Sequence, residues 1–101
     1  MIRVKYDLYV GRLNNKTGKV YSHGEVVNAV NALTQGTSID GATFTSAKGI
    51  WNGIPEPSTI ITFINTRENY ILVKIVIEQL KVKFEQDAIL LVKNTVDADF
   101  M

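Results

Sequence analysis

The sequence predicts an α+β sandwich with the element order β-α-β-β-α-β. Three observations predict it. Ile2, Val4, Tyr6, Leu8 and Val10 alternate with Arg3, Lys5, Asp7 and Tyr9, the period of a half-buried strand. Two longer stretches, about residues 23–35 and on to Phe84 from Asn65 or Thr66, carry apolar residues at helical spacing. Short apolar, β-branched runs at 42–48, 59–64 and 88–93 are bounded by turn residues. Two right-handed β-α-β units interleave into one antiparallel sheet of order 4-1-3-2 with both helices on one face. That is the ferredoxin-like sandwich. A swapped or dimeric barrel of the same elements is the other architecture open to this order.

Gly11 ends the first strand, and Leu13 to Lys19 is turn-rich, with Asn14-Asn15 and Gly18 suited to a small hairpin that carries Val20 and Tyr21. Ser22 to Glu25 reads as a capping box, Val26, Val27, Val30 and Leu33 follow at helical spacing, and Gly36 stops the helix. Ile39-Asp40-Gly41 turns the chain into the second strand. Gly49 to Ser58, with the only Trp, both prolines and two of the seven glycines, reads as a central loop. Thr59 to Ile64 is apolar enough for a central strand. Asn65 or Thr66 caps the second helix, and Glu68 favours its dipole. Tyr70, Val73, Ile77, Leu80 and Phe84 form its core stripe, with Ile71, Ile75 and Val82 to one side. That excess of apolar surface predicts a homodimer or larger assembly. The tail from Asn94 to Met101 alternates weakly and suits an extension of the last strand.

One hundred and one residues fit a single domain, 1–101. The composition, 46% hydrophobic and 21% charged, is that of a globular chain. With no cysteine, thiolate chemistry, disulfides and Cys-based zinc sites are excluded. The net charge of +1 comes from scattered basic residues, a poor footprint for nucleic acid. The strand at 59–64 lacks the aromatic signature of RNA-recognition sheets, so no sequence-specific nucleic acid is expected. The N-terminus has no apolar signal region, and the longest apolar run, Tyr70 to Ile77, is too short for a bilayer. A cytoplasmic protein without membrane contact or cofactor is the expectation.

Tyr9, Arg12, Lys48 and Trp51 are the candidate ligand-binding residues. Aromatics beside Arg and Lys on the helix-free sheet face suit a planar base and a phosphate. The competing reading has Trp51 plug the core and Tyr9 lie in a subunit interface. His23, the only histidine, follows an N-cap serine. It joins as an anion ligand, or is a solvated first-turn residue. One histidine without clustered carboxylates makes no metal site. Asp97 and Asp99 share a strand face, as a charged edge or a weak cation site. Glu68, Glu78 and Glu85 read as solvated helix positions. No nucleophile elbow or phosphate loop is present.

Four segments resemble a family of small bacterial and phage-borne proteins known only as a domain of unknown function. They are Tyr9-Val10-Gly11-Arg12, Gly49-Ile50-Trp51, Glu56-Pro57-Ser58 and Phe84 to Val92. The resemblance implies a ferredoxin-like fold and carries no activity.

Three functions are open on these grounds. The first is a non-enzymatic oligomeric protein that binds a small anionic, nucleotide-like ligand or a protein partner on its open sheet face or subunit interface. A phage or mobile-element protein acting against host defence is one form of it. The second is a small enzyme of isomerase or lyase type using His23 and Asp7. The third is a purely structural assembly subunit.

Overall fold

Strand β1 (Ile2–Gly11) is the spine of the sheet, and α1 (His23–Thr34), β2 (Thr43–Trp51), β3 (Ile54–Asn65), α2 (Tyr70–Lys83) and β4 (Leu90–Asp97) follow it. The computed structural model describes residues 1–39, 41–65 and 69–101, Asn65 by its backbone alone. β1 pairs antiparallel with β3 and β4, and β3 also pairs antiparallel with β2. The order β2-β3-β1-β4 is the expected 4-1-3-2 from the other edge.

The period-two pattern of β1 decides which face is buried. Tyr6, Leu8 and Val10 are fully buried, whereas Tyr9 is 39% exposed. Their partners Phe63, Ile61 and Thr59 are fully buried as well. Val26 and Val30 of α1 and Val73, Val76 and Leu80 of α2 close over that face. Each such aliphatic side chain contributes about 1.5–3 kcal/mol by leaving water. Asp7 is buried on the opposite face, where Thr62 Oγ1 donates to it at 2.6 Å and Lys5 Nζ lies 3.5 Å away.

The capping box at α1 forms as the spacing predicts. Glu25 N donates to Ser22 Oγ, and Ser22 N donates to the Glu25 carboxylate. That backbone hydrogen bond holds the Glu25 carboxyl below its usual range. The small hairpin after β1 closes through a Leu13–Val20 bridge, and Asn14 Oδ1 accepts from the backbone of Lys16. The tail extends β4 to Asp97, and Asp97 and Asp99 both accept from the Met1 ammonium.

Two expectations are corrected. Asn65 does not cap α2: it ends β3, and the cap position is Asn69, without a side-chain cap bond. The Asn69 N–H instead donates to the buried Tyr6 hydroxyl at 3.1 Å. The residues Asp40, Thr66 and Glu68 lie outside the described residues. The second correction concerns 49–58, which is no loop. β2 and β3 run through it, joined only by Asn52-Gly53 with φ of 51° and 78°. Two successive left-handed residues make the tight turn whose twist matches a hairpin. The prolines are tolerated because Pro57 turns its backbone toward β1, accepting from Arg12 N, and Pro55 shares that orientation past the end of β1. Neither removes a ladder bond to β2.

Candidate functional site

The β1–β3 pairing stops at Gly11–Ser58, but β2 and β3 continue for four more pairs, Lys48–Pro57 to Trp51–Ile54. The hairpin therefore stands out from the sheet as an arm. Trp51 is 62% exposed near its tip, beside the exposed Ile50 and Ile54. A cavity of about 830 Å³ opens at its base, against the turn after β1 and the α2–β4 junction. That volume suits a drug-sized or nucleoside-sized ligand.

Tyr9 and Trp51 both line this cavity. The other three expected ligand residues do not. Lys48 is exposed on the hairpin and is not among the residues that line the cavity. Arg12 falls on the buried side of the sheet end, because even-numbered residues of β1 point there. Its Nη1 donates to the Tyr21 carbonyl at 2.9 Å, and its Nε, buried, has no partner among the described residues. His23 is held half-buried by Thr59, Nδ1 to Oγ1 at 2.9 Å. His23 and Asp7, the pair expected for a small enzyme, lie on opposite faces of the sheet and do not meet.

Burial makes Arg12 a stability residue. Arg12→Ala is expected to lower the unfolding free energy by about 1–3 kcal/mol, since it removes a buried side chain and the hydrogen bond to the Tyr21 carbonyl. Arg12→Met, which fills the space without a charge, is expected to melt nearer to the parent. Thermal unfolding followed by circular dichroism checks the order of the two.

The cavity's chemistry comes instead from Glu56, Glu85 and Gln86. Glu85 is no helix position. It follows α2 in the left-handed conformation, φ 53°, and its carboxylate accepts from the Tyr21 hydroxyl and Asn14 Nδ2. The bond to Glu85 raises the Tyr21 phenol above its ordinary pKa. Gln86 Nε2 donates to the carbonyls of Leu13 and Phe84, at 3.0 and 3.1 Å. These bonds aim its amide oxygen at Gly11. A Cβ on Gly11 would lie 2.6 Å from Glu56 Oε1 and 2.8 Å from Gln86 Oε1. Glycine is required there for both side chains to close in.

Partial burial pushes the Glu56 carboxyl above its usual range. The folded chain thus keeps a proton there longer than the unfolded chain does. That contribution to stability is fully present below the ordinary glutamate value of 4.5 and is lost as pH rises through the raised value. Glu56→Gln, which cannot ionise, is expected to gain Tm relative to the parent between pH 4 and pH 7. Equal Tm differences at both pH values overturn the assignment.

The sequence did contain signals for these residues. Asn52-Gly53 is a strong hairpin signal, and Glu85-Gln86 follow directly on the last residue of the helical stripe, Phe84. Their convergence depends on the arm and the α2–β4 junction meeting over Gly11, which no local pattern reports.

No family model and no curated protein matches the chain. Solved structures do. A phage SAM lyase in complex with S-methyl-5′-thioadenosine is similar with TM-score 0.76 at 18% identity, over 98% of this chain and 92% of that one. The phage SAM lyase in its apo state gives TM-score 0.69 at 19% identity, over 97% and 91%. CPII, a nitrogen regulatory PII-like protein from Thiomonas intermedia K12 bound to ADP, AMP and bicarbonate, gives TM-score 0.54 at 11% identity, over 100% and 97%. At these identities the likeness establishes the ferredoxin-like fold.

Proposed function

We propose that the protein binds an adenosyl sulfonium of the S-adenosylmethionine class in the cavity at the base of the arm and cleaves a carbon–sulfur bond in it. The observation that carries this reading is Glu56, a partly buried carboxylate with no hydrogen-bond partner among the described residues, in a cavity edged by Trp51 and Tyr9. The lining holds the carboxylates of Glu56, Glu85 and Asp87 against Lys16 and Lys81. Lys81 already lies 3.5 Å from Glu78. This balance favours a cation over the anionic ligand that the sequence suggested. The aromatic rings offer a stacking surface for adenine. Likeness to a SAM lyase along almost the whole chain supports the same class.

In the reaction the electron pair of the broken bond goes to sulfur. The sulfonium leaves as the neutral thioether, S-methyl-5′-thioadenosine. The amino-acid fragment loses a proton or closes on its own carboxylate, so no co-reactant is needed. A negative cavity stabilises the charged reactant's binding and releases the neutral product.

The test is incubation of the purified protein with S-adenosylmethionine and quantification of S-methyl-5′-thioadenosine by mass spectrometry against a heat-killed control. Release above the control supports the reading. No release, with a melt stabilised by AMP or ATP and not by either adenosyl sulfur compound, overturns it in favour of a nucleotide-binding protein. We further infer self-association through the open sheet face, where Ile64 and Leu90 are exposed at 42% and 60%. Native mass spectrometry that finds only the single-chain mass removes this inference. Among the described residues no helix is long and apolar enough to cross a membrane.

A further inference from the structure

We propose that Glu56 and Gln86, converging over Gly11, form a subsite for a ligand's primary ammonium group, so that the protein selects adenosyl ligands that keep their α-amino group. This rests on the adenosyl reading above and adds the group that is recognised.

Two acceptor oxygens close on one bare glycine in the cavity wall: a Cβ built on Gly11 would lie 2.6 Å from Glu56 Oε1 and 2.8 Å from Gln86 Oε1. Neither oxygen has a donor among the described residues. Gln86 cannot turn its amide to supply one, because Nε2 is already committed to Leu13 and Phe84. Two acceptors that line one cavity without a donor are satisfied by a donor that reaches them from the cavity. A sulfonium carries charge but no N–H, so it satisfies neither oxygen. An ammonium carries three donors and can serve both oxygens from the cavity side. The neutral amide oxygen is the informative partner. It adds little to a purely electrostatic attraction, and it is useful against a hydrogen-bond donor. Of the other charged groups in the lining, Glu85 takes Tyr21 and Asn14, and Lys81 faces Glu78.

The test uses calorimetric titration of the whole protein with S-adenosylhomocysteine, which keeps the ammonium and has no sulfonium. The comparison ligand is its analogue with hydrogen in place of the α-amino group. The parent protein is expected to prefer the amino compound by about tenfold or more, the size of a hydrogen-bonded charge pair. Glu56→Gln is expected to bring that ratio close to one and leave the deamino analogue's affinity unchanged. Gly11→Ala, whose backbone is not in the left-handed region, pushes both oxygens away and is expected to do the same, with its fold checked by circular dichroism. A ratio near one in the parent, a ratio that survives Glu56→Gln, or an equal loss for both ligands overturns the subsite while leaving the adenosyl reading in place. If neither compound binds the parent, that reading falls and the subsite with it.

Discussion

Phe84→Ala is expected to lower the unfolding free energy by about 3–5 kcal/mol, a large part of the total for a domain of this size. Phe84 is 1% exposed and closes the C-terminus of α2, where its N–H donates to the Leu80 carbonyl at 2.9 Å. Its ring meets Tyr21 edge-on, centroids 5.1 Å apart at 88°. Truncation removes that contact and leaves a cavity between α2 and the turn after β1. The damage also reaches the candidate site, because Phe84 is the fixed point from which Glu85 and Gln86 extend. Thermal unfolding should show a Tm lower by more than about 10 °C. Phe84→Leu, which keeps most of the volume, should recover over half of the loss. A Phe84→Ala melt within about 2 °C of the parent would contradict the packing described.

Glu85→Ala is expected to lower Tm by roughly 5–10 °C. The Tyr21 hydroxyl and Asn14 amide both donate to this carboxylate, tying the turn after β1 to the end of α2. Water replaces part of what is lost, since the Glu85 side chain is accessible. The backbone supplies a sharper signature. Glu85 sits at φ 53°, a conformation that costs an ordinary residue about 1 kcal/mol and glycine almost nothing. Glu85→Gly loses the same two hydrogen bonds but sheds that strain. It should therefore melt several degrees above Glu85→Ala, the reverse of the usual order in a helix. If Glu85→Gly melts below Glu85→Ala, the side chain is not what holds this residue in the left-handed region.

The element order, the α1 capping box, the buried face of β1 and most of the α2 stripe were legible in the chain. Each is a local pattern with a fixed period or spacing, and burial follows the period directly. The arm was misread because two prolines outweighed Asn52-Gly53. A proline breaks a strand pair only where its missing N–H faces the partner strand, and here both prolines turn away from β2. Arg12 was placed on the open face because it is charged and follows Tyr9. Its even parity with Tyr6, Leu8 and Val10 instead sends it inward, where Tyr21 offers a carbonyl.

What the sequence determined by itself is the order of elements and their apolar faces, which periodicity selects and which the sandwich buries. What only the tertiary structure decided is the site. Gly11, Glu56 and Gln86 are brought together by strand register and by the turn out of α2, and the meaning of each depends on the others. A glycine that ends a strand, a glutamate before a proline and a glutamine after a helix are ordinary alone. Packed together, they leave two acceptors without a donor among the described residues, and that pairing is a property of the fold.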